Sequence, residues 1–172
     1  MRSNCFPEAR LTVVGHERQN ASVNVTTWQL GPGILELPDG VRIRGRGRRN
    51  GDPETPPDWG VVLLGRKPPE QEWPTAWIRW PDFSVPRDWR EAGRTLVEAH
   101  GRAQDERVEI MCGGGKGRTG TALACLATLG GLSPREAVTY VRANYDRHAV
   151  EVPWQRLFIR WFSTNASPTP TT

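Results

Sequence analysis

The sequence predicts an α/β fold: a central mixed sheet flanked by helices, with a β-rich N-terminal portion. Three observations carry that expectation. Apolar runs in the first part of the chain are short and separated by Gly/Pro turns, apolar residues recur at helical spacing from Pro86 onward, and a glycine-rich segment lies between a predicted strand and a predicted helix. Strands followed by covering helices bury one apolar face against another. With 172 residues and no shift of composition along the chain, one domain over 1–162 is expected, followed by a Pro/Thr-rich tail over 163–172 expected to be disordered.

In order along the chain, strands are expected at Ser22–Leu30, Ile34–Leu37, Val41–Arg44 and Gly60–Leu64, separated by Gly31-Pro32-Gly33, Pro38-Asp39-Gly40 and a Pro-rich loop. Trp89, Ala92, Leu96, Val97 and His100 share one helical face, predicting a helix over Arg87–His100, and Val108–Met111 follows as a short apolar strand. Thr119–Leu129 reads as a buried helix. Ser133-Pro134-Arg135-Glu136 is a capping box with Pro at the first helical position, so a helix is expected over Pro134–Tyr145. A last helix is expected over Pro153–Phe162.

Composition narrows the function classes. A net charge of +4 makes the surface mildly attractive to anions. Lys67 and Lys116 are the only lysines among 23 basic residues. Three cysteines (Cys5, Cys112, Cys125) are too few and too widely spaced for a disulfide framework or a zinc knuckle, which favours a reducing cytoplasm. The first ten residues lack the apolar run of a signal peptide, and no stretch reaches the roughly 18 apolar residues of a membrane span. No cofactor and no metal are expected. The basic run Arg42–Arg49 could bind nucleic acid or an acidic partner, and its blander reading is a solvated hairpin; no aromatic residue interrupts it for base stacking, so nucleic acid is not expected as a partner.

Chemistry concentrates in Cys112-Gly113-Gly114-Gly115-Lys116-Gly117-Arg118-Thr119. Glycines let the backbone fold back so that successive N–H groups point into one concavity, which suits a phosphoryl group. The positive end of the following helix and the planar fork of Arg118 act at the same place. The same field favours thiolate over thiol at Cys112, giving a nucleophile, while Thr119 could donate its hydroxyl to the sulfur and improve it as a leaving group. A Walker nucleotide loop fails on spacing, because Gly117 follows Lys116 and Ile110 stands where the first glycine should be. The bland alternative is a glycine-rich turn carrying an inert buried cysteine.

Cys, five residues, Arg, Thr, Gly resembles the signature of the protein tyrosine and dual-specificity phosphatase superfamily. Trp80-Pro81-Asp82-Phe83-Ser84-Val85-Pro86 is similar to the mobile loop that carries the general acid in tyrosine phosphatases, and it precedes the cysteine as it does there. The resemblance covers roughly Trp59 to Phe162 and implies a tyrosine-phosphatase-like fold. It implies phosphomonoester hydrolysis through a phosphocysteine at Cys112, with phosphate held by Gly113, Gly114, Gly115, Lys116, Gly117 and Arg118. It further implies Asp82 as acid and then base, and Gln155 as the residue orienting the hydrolytic water. Taken alone, Pro-Asp-Phe is equally a turn, and Gln155 equally a solvated helix-start residue.

Trp80 and Phe83 are expected to hinge and pack the acid loop, and Arg66, Lys67 and Arg79 to stand near the mouth. Met111 departs from the family, where most relatives carry His; the thiolate then depends on loop amides, Arg118 and the helix end. The expected substrate is phosphotyrosine or a related phosphoprotein. The alternatives are a small phosphorylated metabolite, a phosphoinositide or an RNA 5′-phosphate, suggested by Lys116, and a phosphate-binding module without turnover, suggested by Met111. Cys5 and Cys125 are the partners available for a disulfide with Cys112.

Overall fold

A computed structural model describes residues 26–166. Five strands, β1 (Ile34–Glu36), β2 (Arg42–Gly47), β3 (Trp59–Leu64), β4 (Thr75–Arg79) and β5 (Val108–Cys112), combine with four helices, α1 (Trp89–Arg102), α2 (Gly117–Leu129), α3 (Pro134–Asn144) and α4 (Pro153–Asn165). The sheet order is β1-β2-β5-β3-β4. Only β1 is antiparallel to its neighbour; β2, β5, β3 and β4 run parallel. Their carboxyl ends therefore share one edge of the sheet, the edge at which open α/β sheets bind ligands.

β5 lies in the middle and is buried along its whole length, as expected for a parallel strand covered on both faces. α2 follows it and is buried from Gly117 to Ala127, packed against β5, β2 and the other three helices. A helix enclosed in this way needs apolar or small residues all round rather than one stripe, and Thr121-Ala122-Leu123-Ala124-Cys125-Leu126-Ala127 supplies them.

Several boundaries differ from expectation. Thr26–Leu30 forms no strand: Trp28 is anchored through its side chain, whose Nε1 donates to the Val108 carbonyl at 2.7 Å and whose ring lies under the Arg44 guanidinium at 4.0 Å. Ser22–Val25 lie outside the described residues. β4 is not among the expected strands, because Thr75-Ala76-Trp77-Ile78-Arg79 has weak alternation and follows a Pro-rich stretch; pairing with β3 decides it. β2 extends to Gly47, β5 includes Cys112, and α2 begins at Gly117 rather than Thr119. α4 continues through Ser163, Thr164 and Asn165, residues expected in the tail; residues 167–172 lie outside the described region.

The basic run is not a solvated hairpin throughout. One edge of β2 pairs with β1, and the other pairs with the buried β5. Arg44 Nε reaches Glu109 at 2.6 Å and Arg46 reaches it at 3.1 Å, with Glu109 only 1% exposed. Two cations hydrogen-bonded to one carboxylate make this charge tolerable in the interior; leaving any member unpaired would cost about 3–5 kcal/mol. Only Arg48 and Arg49, at the end of the run, are exposed.

Candidate active site

Cys112 ends β5 and α2 starts at Gly117, so residues 113–116 must turn the chain within four residues. Gly115 adopts φ +74, which an L side chain resists. Register makes the turn tighter still: Gly47 of β2 lies opposite Cys112, and a Cβ on Gly47 would come within 2.8 Å of the Gly114 carbonyl. Glycine is required there so that one backbone can lie on another.

Within the loop the Gly115 N–H donates to Cys112 Sγ at 3.1 Å, and Cys112 is 3% exposed. Arg118, 6% exposed, donates through Nη1 to the Trp80 carbonyl at 3.0 Å and through Nη2 to the Asp82 carboxylate at 2.9 Å. The loop after β4 and the loop after β5 therefore meet at this guanidinium. Arg118 Nε and the Thr119 hydroxyl are buried and have no hydrogen-bond partner among the described residues. Buried donors without acceptors are rare because each forfeits about 1–3 kcal/mol; here two lie in consecutive residues, and the described residues supply no acceptor for either.

The acid loop is rooted by aromatic packing. Trp80 is fully buried, its Nε1 donates to Ser84 O at 2.7 Å, and its ring meets Phe158 of α4 edge-on at 5.4 Å. Phe158 contacts Trp89 of α1 at 5.3 Å, so the root is tied to two helices at once. Such ring pairs contribute about 0.5–1.5 kcal/mol each beyond burial. The tip is different. Asp82 is 52% exposed, and Phe83 is 58% exposed with φ +48, a strained conformation for a bulky residue. Trp80 thus packs the loop as expected, whereas Phe83 faces solvent because its backbone turns it outward.

Gln155 is fully buried rather than solvated. Its oxygen accepts from the N–H groups of Glu151 at 2.8 Å and Val152 at 3.3 Å, and its amide donates to Ser84 O at 3.4 Å, joining the start of α4 to the acid loop. Trp154, which sequence reasoning passed over, adds a second tie: its Nε1 donates to Phe83 O at 2.7 Å. A Trp beside a Pro at a helix start carries no signal for a contact 71 residues away.

Lys116 and Gly114 stand at the rim of a hollow with Asn50, Tyr145 and Asp146. Lys67 borders a separate hollow with Trp73 and Trp77, and among the described residues nothing ties the Arg66 or Arg79 side chains to the Cys112 loop. Met111 Sδ accepts from Arg46 Nη2 at 3.2 Å, so a guanidinium occupies the flank of the residue preceding Cys112. Cys112 and Cys125 are both free, and burial pushes the Cys125 thiol well above its ordinary range; Cys5 lies outside the described residues. Among the described residues no group of three His, Cys, Asp or Glu could hold a metal, and no helix is long and apolar enough to cross a membrane.

Residues 83–164 match the model of the Swiss Army Knife protein DSP-PTPase phosphatase domain, a span that contains the whole Cys112 loop. Two crystal structures of Tk-PTP share the fold: the active form with TM-score 0.61 and 24% identity over 79% of this chain and 99% of that one, and a glycine-to-alanine mutant form with TM-score 0.55 and 26% identity over 62% and 77%. Over residues 83–164, just under half of its length, the chain is therefore similar to the dual-specificity and tyrosine phosphatase family, and its fold is that of Tk-PTP. A further similarity, 32% identity over 87 residues, is to the uncharacterized protein MJ0215 of Methanocaldococcus jannaschii. The match covers 50% of this chain and 53% of that protein, so the chain spans about half the length of the curated relative it matches. The likeness to Tk-PTP extends to the fold as a whole, and the family match includes the cysteine at the carboxyl end of the central strand.

Proposed function

We propose that this protein hydrolyses phosphate monoesters through a phosphocysteine, with phosphotyrosine or a related phosphoprotein as the leading substrate class. The observation that carries this is the meeting of two loops distant in sequence: the Cys112 loop, with Cys112 Sγ under the Gly115 N–H and the Arg118 guanidinium, and the loop after β4, whose Asp82 carboxyl lies 2.9 Å from that guanidinium.

In the first step the Cys112 thiolate attacks phosphorus, the P–O ester bond breaks, and Asp82 gives its proton to the departing oxygen. Loop amides and Arg118 hold the equatorial oxygens as charge shifts between them. In the second step water attacks phosphorus and the P–S bond breaks, Asp82 takes the proton, and inorganic phosphate and the thiolate are released. Thr119, in the first turn of α2 and with a buried hydroxyl that has no hydrogen-bond partner among the described residues, would donate to the returning sulfur. Gln155 retains one amide hydrogen beyond those that hold the acid loop, and with it would orient the water. Exposed Phe83 and Trp154, joined at 2.7 Å, offer an aromatic rim against which a phenyl leaving group can stack.

One observation favours a second substrate class. Arg49 carries an exposed guanidinium without a partner among the described residues, and it approaches the position of a Gly113 Cβ at 3.8 Å while Arg118 approaches it at 3.4 Å. Two guanidinium groups on one glycine, with Lys116 in the same loop, suit a substrate bearing a second phosphate, such as a phosphorylated metabolite or lipid headgroup. Turnover of p-nitrophenyl phosphate with chelator present, its loss in Cys112→Ser, and a panel of phosphotyrosine peptides against mono- and bisphosphorylated small molecules test both. Activity surviving Cys112→Ser ends the phosphocysteine mechanism; a kcat/KM preference for bisphosphates that collapses in Arg49→Ala would replace the leading substrate class by the second.

A further inference from the structure

The peptides of the Cys112 loop are held from outside. The Gly113 carbonyl accepts from the Arg49 N–H at 3.1 Å, and the Gly115 carbonyl accepts from the Tyr145 hydroxyl at 2.5 Å. A trans peptide is planar, with its C=O and N–H pointing in opposite directions. Fixing the Gly113 carbonyl against the chain after β2 therefore turns the Gly114 N–H away from it, and fixing the Gly115 carbonyl on Tyr145 turns the Lys116 N–H away from Tyr145. Between these two peptides, the Gly115 N–H already points at Cys112 Sγ. Gly115, at φ +74, has no Cβ to prevent its carbonyl from rotating, so the loop's own stereochemistry does not hold this orientation.

Tyr145 is itself held with little freedom. It caps the C-terminal end of α3, and its ring lies so close on β2 that a Cβ on Gly45 would come within 2.6 Å of three ring-system atoms. The bare Gly45 is what makes room for the ring. Burial raises the phenol well above its ordinary range, and the charges of Cys112, Asp146 and Glu109 raise it further. The hydroxyl therefore keeps its proton, and keeps donating, throughout the range in which a phosphatase would work. No other donor to the Gly115 carbonyl is present among the described residues.

We infer that Tyr145 is a positioning residue for phosphate binding: its hydroxyl, by holding the Gly115 carbonyl outward, keeps the Lys116 N–H turned into the cradle that receives the substrate's phosphate oxygens. This rests on the proposed use of the Cys112 loop as a phosphate site. It adds a residue well downstream of the nucleophile that touches no substrate and acts only through one peptide plane.

The test uses the whole chain and inorganic phosphate as the probe. Tyr145→Phe removes one oxygen and keeps the ring on Gly45, so its thermal midpoint should stay near that of the wild type. The inhibition constant of phosphate against p-nitrophenyl phosphate should rise about tenfold, the loss expected when one buried hydrogen-bonding partner is removed. In nitrogen-15 spectra the Lys116 amide should shift on phosphate addition in the wild type and respond much less in Tyr145→Phe. Gly45→Ala, which keeps the hydroxyl group but pushes the ring, and the hydroxyl with it, off β2, should weaken phosphate in the same direction. Unchanged phosphate inhibition together with an unchanged Lys116 response in Tyr145→Phe would overturn the role of Tyr145 alone. Wild-type protein that does not bind phosphate at all would overturn the phosphate site itself and this role with it.

Discussion

The two loops that meet at Arg118 are built on opposite plans. The Cys112 loop is held through its main chain: β2 lies against it at Gly47, α2 begins inside it, and its Gly113 and Gly115 carbonyls are hydrogen-bonded from outside. The acid loop is held through side chains and only at its root, where Trp80 is buried, while Asp82 and Phe83 at the tip are exposed and Phe83 is strained. On the proposed mechanism the difference follows from what each must do. An oxyanion cradle is effective only when its dipoles are already oriented before charge arrives. A residue that gives and then takes a proton must admit a substrate and release a product, which calls for a segment of low local stability.

Substitutions should separate the two plans. The largest effect is expected for Asp82→Asn, which removes the proton donor but not the cradle: kcat should fall about 10²–10⁴-fold. The phosphate inhibition constant should be unchanged or lower, because Asp82 no longer competes for the 2.9 Å contact with Arg118. Weaker phosphate binding in this variant, measured by inhibition, would mean that the two loops are not separable. Gly47→Ala should act on the other side. A Cβ placed 2.8 Å from the Gly114 carbonyl must push the cradle, so phosphate binding should weaken and thermal stability should drop by about 1–3 kcal/mol, as for other overpacked sites.

The smallest effect is expected for Trp154→Phe. It keeps an aromatic rim but loses the 2.7 Å tie to the Phe83 carbonyl, so kcat should change a few-fold with little change in thermal midpoint, since an exposed hydrogen bond contributes only about 0.5–1.5 kcal/mol. Equal losses of stability in Gly47→Ala and Trp154→Phe, read by thermal unfolding, would show that the acid loop is as firmly built as the cradle.

How much of this was legible in the sequence varied with the range of the contacts involved. The strand-to-helix turn at Cys112, the capping box at Ser133–Glu136 and the helical periodicity of α1 are local patterns, and all of them appear in the structure. β4 has no local signature that outweighs its flanking prolines, and Ser22–Leu30 has β-like residues but no strand beside it at its described end. The arginines of β2 look solvated when read alone, since a sequence does not display the Glu109 that neutralises two of them.

The order of residues was enough for the candidate chemistry: a cysteine, an arginine six residues later and glycines between them permit few backbone shapes, because glycine spacing and helix-start geometry act within one turn. Tertiary structure alone decided what surrounds that chemistry. Met111 against Arg46, Trp154 on the Phe83 carbonyl and Tyr145 on the Gly115 carbonyl join residues 30 or more positions apart. Such contacts depend on strand register and helix packing, and the identities of the two residues say nothing about either until the sheet has been assembled.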